Sequence, residues 1–260
     1  MDLARRLRDI AREAGQAIMP YFNQDTDVRT KEDGSAVTDA DEAAERLILE
    51  RLKALTPDIP VVAEEAMAAG DAPEVDEGPF FLVDPLDGTK EFISGRGEFT
   101  VNIAMVDRGT PIIGVVYAPA LSRMFFGAVG EGAFEEKVAP DGTVETAERG
   151  ITTRVPPEQG LTAVASRSHR DEKTDDYLKT FKVASFVSAG SSLKFCLVAA
   201  GEADIYPRHG RTMEWDTAAG HAVLAAAGGT VTEVDGPVLR YGKVKDAFAN
   251  PFFVARGQMG

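Results

Sequence analysis

The chain has one cysteine, Cys196, one tryptophan and three histidines in 260 residues. A lone cysteine excludes an internal disulfide framework and a cysteine-based zinc site. No stretch approaches the roughly 18 consecutive apolar residues of a membrane helix. The opening Met1-Asp2-Leu3-Ala4-Arg5-Arg6 leads into an amphipathic segment rather than an apolar signal core. These absences fit the cytoplasm, with loose association at the inner membrane surface as the alternative. Basic charge is also scarce: 28 Lys and Arg stand against 42 Asp and Glu, for a net charge of −14. That balance argues against a nucleic-acid duplex as partner, because duplex binding relies on neutralising phosphates with Lys and Arg. A small phosphate ester stays open, provided that divalent cations screen the repulsion.

Apolar residues make up 44% of the chain and charged residues 27%, enough for a real core, and there is no low-complexity run or internal repeat. Leu3, Leu7, Ile10, Ala14, Ile18 and Tyr21 recur at helical spacing, with Pro20 marking the end. A polar loop is expected over 24–37. Thr38 or Asp39 then caps a second helix with Ala40, Ala44, Leu47, Ile48 and Leu52 facing inward. Short strands are expected at 60–63 and 80–83, with a loop over 67–79 between them. The alternation of Phe99, Val101, Ile103 and Met105 predicts a half-buried strand, and 111–118 and 123–129 continue it as a meander. The turn-rich stretch 140–160 suggests a boundary between an N-terminal half, 1–150, and a C-terminal half, 151–260. In the latter, strands (161–165, 183–187, 203–206) alternate with helices (172–181, 191–200, 216–227), as in an α/β unit.

The informative segment is Phe81-Leu82-Val83-Asp84-Pro85-Leu86-Asp87-Gly88-Thr89-Lys90-Glu91-Phe92. Apolar residues run directly into Asp84, and Asp87 follows across a stiff turn. Two such carboxylates can share or divide hard cations, which prefer oxygen ligands. Asp87-Gly88-Thr89 also sets amides and a hydroxyl near a helix start, where phosphate is favoured. Alone, the segment is equally an ordinary capped turn. Glu64-Glu65 also follows an apolar strand, and Trp215-Asp216 precedes Thr217-Ala218-Ala219-Gly220. Taken singly, the first is a solvated pair and the second an N-cap.

Together, Asp41, Glu64-Glu65, Asp84-Pro85-Leu86-Asp87-Gly88-Thr89 and Trp215-Asp216-Thr217-Ala218-Ala219-Gly220 resemble the inositol monophosphatase superfamily of lithium-sensitive, magnesium-dependent phosphatases. Within it, Gly88-Thr89-Lys90-Glu91-Phe92, Gly97 to Ala104 and Ser191-Ser192-Leu193-Lys194-Phe195-Cys196 look like the bacterial 3'(2'),5'-bisphosphate nucleotidases of sulfate assimilation. The resemblance implies a layered αβαβα sandwich of the α/β class. It implies two magnesium ions, with a third near Glu64. Glu64, Asp84 and the Leu86 carbonyl would hold the first ion; Asp84, Asp87 and Asp216 would hold the second. Thr89, hydrogen-bonded to Asp41, would orient and deprotonate the attacking water beside Glu64. A threonine hydroxyl is no base by itself, so Asp41 is needed as proton acceptor.

Substrate identity rests on the C-terminal half. Ser191 and Lys194 stand three apart near a helix start, so both can face one ligand, and Arg208 follows a strand. By the same resemblance Gly88, Thr89, Asp216, Ser191, Lys194 and Arg208 hold the nucleotide, with His169 close by. Lys31 is similar to a family lysine near the metals, while Cys196 between Phe195 and Leu197 reads as a core thiol. The expected reaction is removal of the 3'-phosphate from 3'-phosphoadenosine 5'-phosphate, leaving AMP, by a monomer or homodimer. The rival enzymes are an inositol-phosphate or fructose-bisphosphate phosphatase with the same metal core. The rival outside enzymology is a catalytically silent metal-binding regulator, which should have lost one of Asp41, Glu64, Asp84, Asp87, Thr89 or Asp216; all six are present.

Overall fold

Apolar residues spaced three and four apart at the N-terminus fold as α1 (Asp2–Ile18), followed by a 3-10 turn at Met19–Tyr21 with Pro20 near its start. The structure is a computed structural model and describes residues 1–24, 28–31, 36–166, 172–234 and 236–258. Helix α2 (Asp39–Leu55) pairs with α1 and buries Ala40, Ala44, Ile48 and Leu52, while Leu47 stays half-buried at the flank. Its N-cap is Thr38. The expected loop over 24–37 instead contains part of a small antiparallel hairpin, β1 (Val28–Thr30) and β2 (Ala36–Thr38). Three-residue strands are too short to leave a periodic signal.

Seven strands follow in chain order across one sheet: β3 (Val61–Ala63), β4 (Phe80–Asp87), β5 (Thr100–Asp107), β6 (Thr110–Ala118), β7 (Arg123–Ala128), β8 (Gly132–Val138) and β9 (Val144–Ile151). Only β3 and β4 are parallel; the rest is a meander. The stretch 140–160 is thus partly strand. As an edge strand, β9 exposes most of its residues, including Glu145 and Arg149, and carries none of the alternation that marks a buried one. Two short helices interrupt the sheet, α3 (Glu64–Ala68) and α4 (Thr89–Ile93), so the expected loop over 67–79 begins inside α3.

A second sheet has the order β11-β10-β12-β14-β13, built from β10 (Leu161–Ser166), β11 (Val183–Ala189), β12 (Ile205–Arg208), β13 (Thr230–Glu233) and β14 (Phe253–Arg256). Helices α5 (Glu172–Leu178), α6 (Leu193–Ala199) and α7 (Ala218–Ala226) accompany it, each shorter than its pattern suggested. Helices α1 and α2 cover the outer face of the large sheet, α6 and α7 lie between the sheets, and α5 covers the far face of the second. This is the expected αβαβα layering. It explains why Phe80-Phe81-Leu82-Val83 is apolar throughout: Phe81 and Val83 pack under α1 and α2, Phe80 and Leu82 on the α6–α7 side. The same sandwiching corrects the reading of β5, which is buried on both faces over most of its length. Among the described residues no helix is long and apolar enough to cross a membrane.

Candidate active site

In a regular strand, residues three apart point to opposite faces. Asp84 pairs with Asn102 but Asp87 with Thr100, so β4 takes three steps where β5 takes two. The extra residue is a bulge at Pro85-Leu86, a place where proline is tolerated. Its effect is visible in Leu86, which turns to the α1–α2 side with Phe81 and Val83. Asp87 is thereby returned to the side of Asp84. There its Oδ2 accepts from Ser192 N at 2.7 Å and Asn102 Nδ2 at 3.4 Å. Asp84 Oδ1 accepts Leu86 N at 3.0 Å. Gly88 follows at φ 96°, and a side chain there would press on the Glu98 carbonyl and Phe99 Cα, each 3.3 Å from its Cβ.

Other segments complete an acidic centre. Glu64 opens α3, directly after β3. Asp216 sits in the turn before α7, whose N-cap is Thr217 rather than Asp216. Its Oδ2 accepts Met213 N at 2.8 Å, and its carbonyl accepts Ser192 Oγ at 2.5 Å. Glu64, Asp84 and Asp216 each bring a carboxylate oxygen within 4.8 Å of the others. Asp87 lines the same cavity as Glu64 and Asp216. Burial raises the carboxyls of Asp84, Asp87 and Asp216, that of Asp87 to about 6, and the neighbouring acids add to each shift. Lys31 Nζ bridges Glu64 Oε1 at 2.7 Å and Glu65 Oε1 at 2.6 Å. Burial opposes the Lys31 charge, yet the two glutamates hold its pKa above the ordinary range. A set of converging oxygens whose repulsion a cation would relieve suits a hard divalent metal; the residues fit one.

Asp41 divides its oxygens. Oδ2 accepts Thr38 N at 2.8 Å and Thr38 Oγ1 at 2.6 Å, closing a capping box. Oδ1 accepts the Thr89 hydroxyl at 3.5 Å, and the same hydroxyl lies 3.4 Å from the Leu86 carbonyl. Burial raises the Asp41 carboxyl.

The cavity, about 680 Å³, passes from Glu64, Asp87 and Thr89 to Ser191, Lys194 and Arg208. Lys194 is 5% exposed, donates to the Ser191 carbonyl at 2.6 Å and lies 5.4 Å from the centre of the Tyr206 ring. Burial lowers its pKa to about 8, and Arg208 pushes the same way. Arg208 Nη2 donates to the Arg211 carbonyl at 3.3 Å, whereas its buried Nε has no partner among the described residues. Ser191, at φ 44°, has its hydroxyl 3.0 Å from that of Thr100. His169 lies outside the described residues, and Cys196 is buried with its thiol pKa raised. Sequence reasoning assigned no role to Asn102, Ser192 or Arg211. Two of these act through contacts that spacing does not encode: the Asn102 amide reaches Asp87 from the neighbouring strand β5, and the Ser192 backbone reaches it from the start of α6.

A profile of the inositol monophosphatase family matches residues 2–256. The 3'(2'),5'-bisphosphate nucleotidase CysQ of Salmonella typhimurium is 45% identical over 246 residues, covering 94% of this chain and 95% of that protein. Its Escherichia coli K12 counterpart is 46% identical over the same shares. Among solved structures, CysQ from Bacteroides thetaiotaomicron, a bacterial member of the inositol monophosphatase family, superposes with a TM-score of 0.79. It is 33% identical, and the match covers 100% of this chain and 98% of that one.

Proposed function

The chain belongs to the inositol monophosphatase family, and from that premise we propose that it is a 3'(2'),5'-bisphosphate nucleotidase. Its substrate is 3'-phosphoadenosine 5'-phosphate, a by-product of sulfate assimilation, and its products are AMP and phosphate. The observation that carries this reading is one cavity with opposite linings: converging carboxylates at one end, Lys194 and Arg208 at the other. A substrate with two phosphates fits both ends. A monophosphate of inositol uses only the first.

Mg²⁺, two ions or three, would be held by Glu64, Asp84, Asp87, Asp216 and the Leu86 carbonyl. Bound there, it would neutralise the scissile phosphate and make water a stronger acid. Thr89 orients the attacking water through its hydroxyl and passes a proton to Asp41 Oδ1, the oxygen that the capping box leaves open. The water oxygen then bonds to phosphorus as the bond to the 3'-oxygen breaks, and the departing 3'-oxygen takes up a proton from solvent water. Gly88 lets the backbone approach the phosphate. Lys194, Arg208 and Ser191 hold the second phosphate and the ribose side. Low intrinsic exposure of Lys194 makes its ion pair with a phosphate stronger than a surface pair would be. A cytoplasmic site of action is in keeping with this substrate.

The test is phosphate release with Mg²⁺ from 3'-phosphoadenosine 5'-phosphate and inositol 1-phosphate, side by side. A clear preference for the nucleotide is expected. Preference for inositol phosphate would overturn the substrate, and release from neither would overturn the phosphatase reading for both.

A further inference from the structure

We infer that Glu45 is a positioning residue for the cation held at Glu64, acting through the backbone amides that follow that ligand. Glu45 lies on α2 one turn after Asp41, so the two carboxylates leave the same face of the helix. Asp41 reaches the β4–α4 turn at Thr89; Glu45 reaches α3 on the other side of the centre. Its side chain is 4% exposed. Oε2 accepts Glu65 N and Oε1 accepts Ala66 N, both at 2.8 Å.

Two neighbouring amides that converge on one side chain need two acceptor atoms, which only an ionised carboxylate offers. A glutamine would set its own NH₂ against one of them. One of the two amides would then face a buried donor instead of an acceptor.

Helix α3 depends on such bonds more than most elements do. It is five residues long and none of its side chains is fully buried, so the partial packing of Ala66 and Met67 leaves much of its placement to hydrogen bonds. Its first turn is held by Lys31 from the side-chain end and by Glu45 from the backbone end. Glu64, in that turn, must come within 4.8 Å of Asp84 and Asp216 to share a cation with them. An anchor on the next two amides sets the direction in which the Glu64 side chain leaves the backbone. Partners of this kind, bonded to what carries a ligand rather than to the metal, typically govern about 10- to 100-fold in affinity. A purely architectural role, in contrast, would show in the unfolding of the metal-free chain alone.

The inference rests on the reading of Glu64 as a metal ligand, and the experiment separates the two. Mg²⁺ binding is titrated calorimetrically, without substrate, for the wild type, Glu45→Gln and Asp84→Asn. The expected result is a Kd about 10-fold weaker for Glu45→Gln, with turnover at saturating Mg²⁺ within about 3-fold of wild type, which is the split expected when a ligand's placement, not its chemistry, is disturbed. An unchanged Kd in Glu45→Gln alongside lost binding in Asp84→Asn overturns the positioning role alone. Wild-type binding in Asp84→Asn overturns the metal reading itself. Should Glu45→Gln not fold, amide hydrogen exchange on the wild type decides: Mg²⁺ is expected to slow exchange at Glu65 and Ala66, by linkage between the two events. Exchange there that is indifferent to Mg²⁺ overturns the inference.

Discussion

The acidic and cationic walls of the cavity are held in different ways. Each aspartate of the acidic wall gives one oxygen to a backbone amide: Asp84 to Leu86, Asp87 to Ser192, Asp216 to Met213. The other oxygen of each is left to turn inward. On the cationic wall, Lys194 bonds one carbonyl and Arg208 bonds another, with donors to spare on both. Backbone anchoring fixes position to within the play of the main chain, whereas an ammonium on four methylenes can follow its ligand. On the proposed function, what must be aligned for reaction is held rigid and what must recognise a substrate is left adjustable.

The largest effect should come from breaking the rigid wall. Asp87→Asn keeps a side-chain oxygen for the Ser192 amide but removes the charge, and turnover with Mg²⁺ is expected to fall by about 10³-fold. Circular dichroism should stay that of the wild type; near-normal turnover would show that Asp87 is only structural. Next, Thr89→Ala removes the hydroxyl that faces Asp41, and kcat is expected to drop by roughly 10²-fold or more, the usual range for a lost proton-transfer group. KM should move little. On the adjustable wall, Lys194→Ala should raise KM for 3'-phosphoadenosine 5'-phosphate by about 10- to 100-fold, as for a lost charge pair of 1.5–3 kcal/mol. Inositol 1-phosphate should barely notice. Equal losses on both substrates would mean that Lys194 supports the acidic wall instead.

Legibility in the sequence follows the same division. Asp84, Asp87 and Thr89 sit on one short segment that alone reads equally as a capped turn, and were singled out because Asp41, Glu64 and Trp215-Asp216 resemble the same family pattern. The helices α1 and α2 were readable from periodicity, with the α2 cap narrowed to Thr38 or Asp39, of which the structure has Thr38. The two-sided burial of β5 was not, since Asn102 and Thr100 read as solvent-facing polar residues when they in fact build the floor under Asp87. Nor were β13 and β14 recognised: four-residue strands joined by loops leave no pattern. Glu45 was invisible because its partners are backbone amides, which every residue but proline carries. In each case the missing information is tertiary.

An effect on stability rather than on turnover lies behind the site, in the layer between the sheets. His221 on α7 is buried, with Nδ1 3.1 Å from the Tyr241 hydroxyl, which in turn donates to Thr217. Burial lowers its pKa to about 3. Between pH 6.5 and 3 the unfolded chain therefore binds a proton that the folded one refuses, and stability falls as the solution is acidified. From pH 7 to 4 this amounts to roughly 3 kcal/mol. The acidic wall has the opposite sign, since its raised carboxyls favour the folded chain at low pH. Urea unfolding of His221→Phe against wild type, at both pH values, isolates the histidine: the difference between them should shrink on acidification. A difference independent of pH would remove His221 from the balance.

The bulge at Pro85-Leu86 makes the interval between two carboxylates a matter of counting. With the bulge, an odd spacing behaves as an even one, and both acids arrive on the same side. Straighten the strand with every residue kept, and the parity flips, although every chemical group survives. What this segment must preserve is first of all a number. A substitution can be weighed by what it takes away, but loss of the bulge at constant length would send Asp87 beneath α1 and α2, where no cation could reach it.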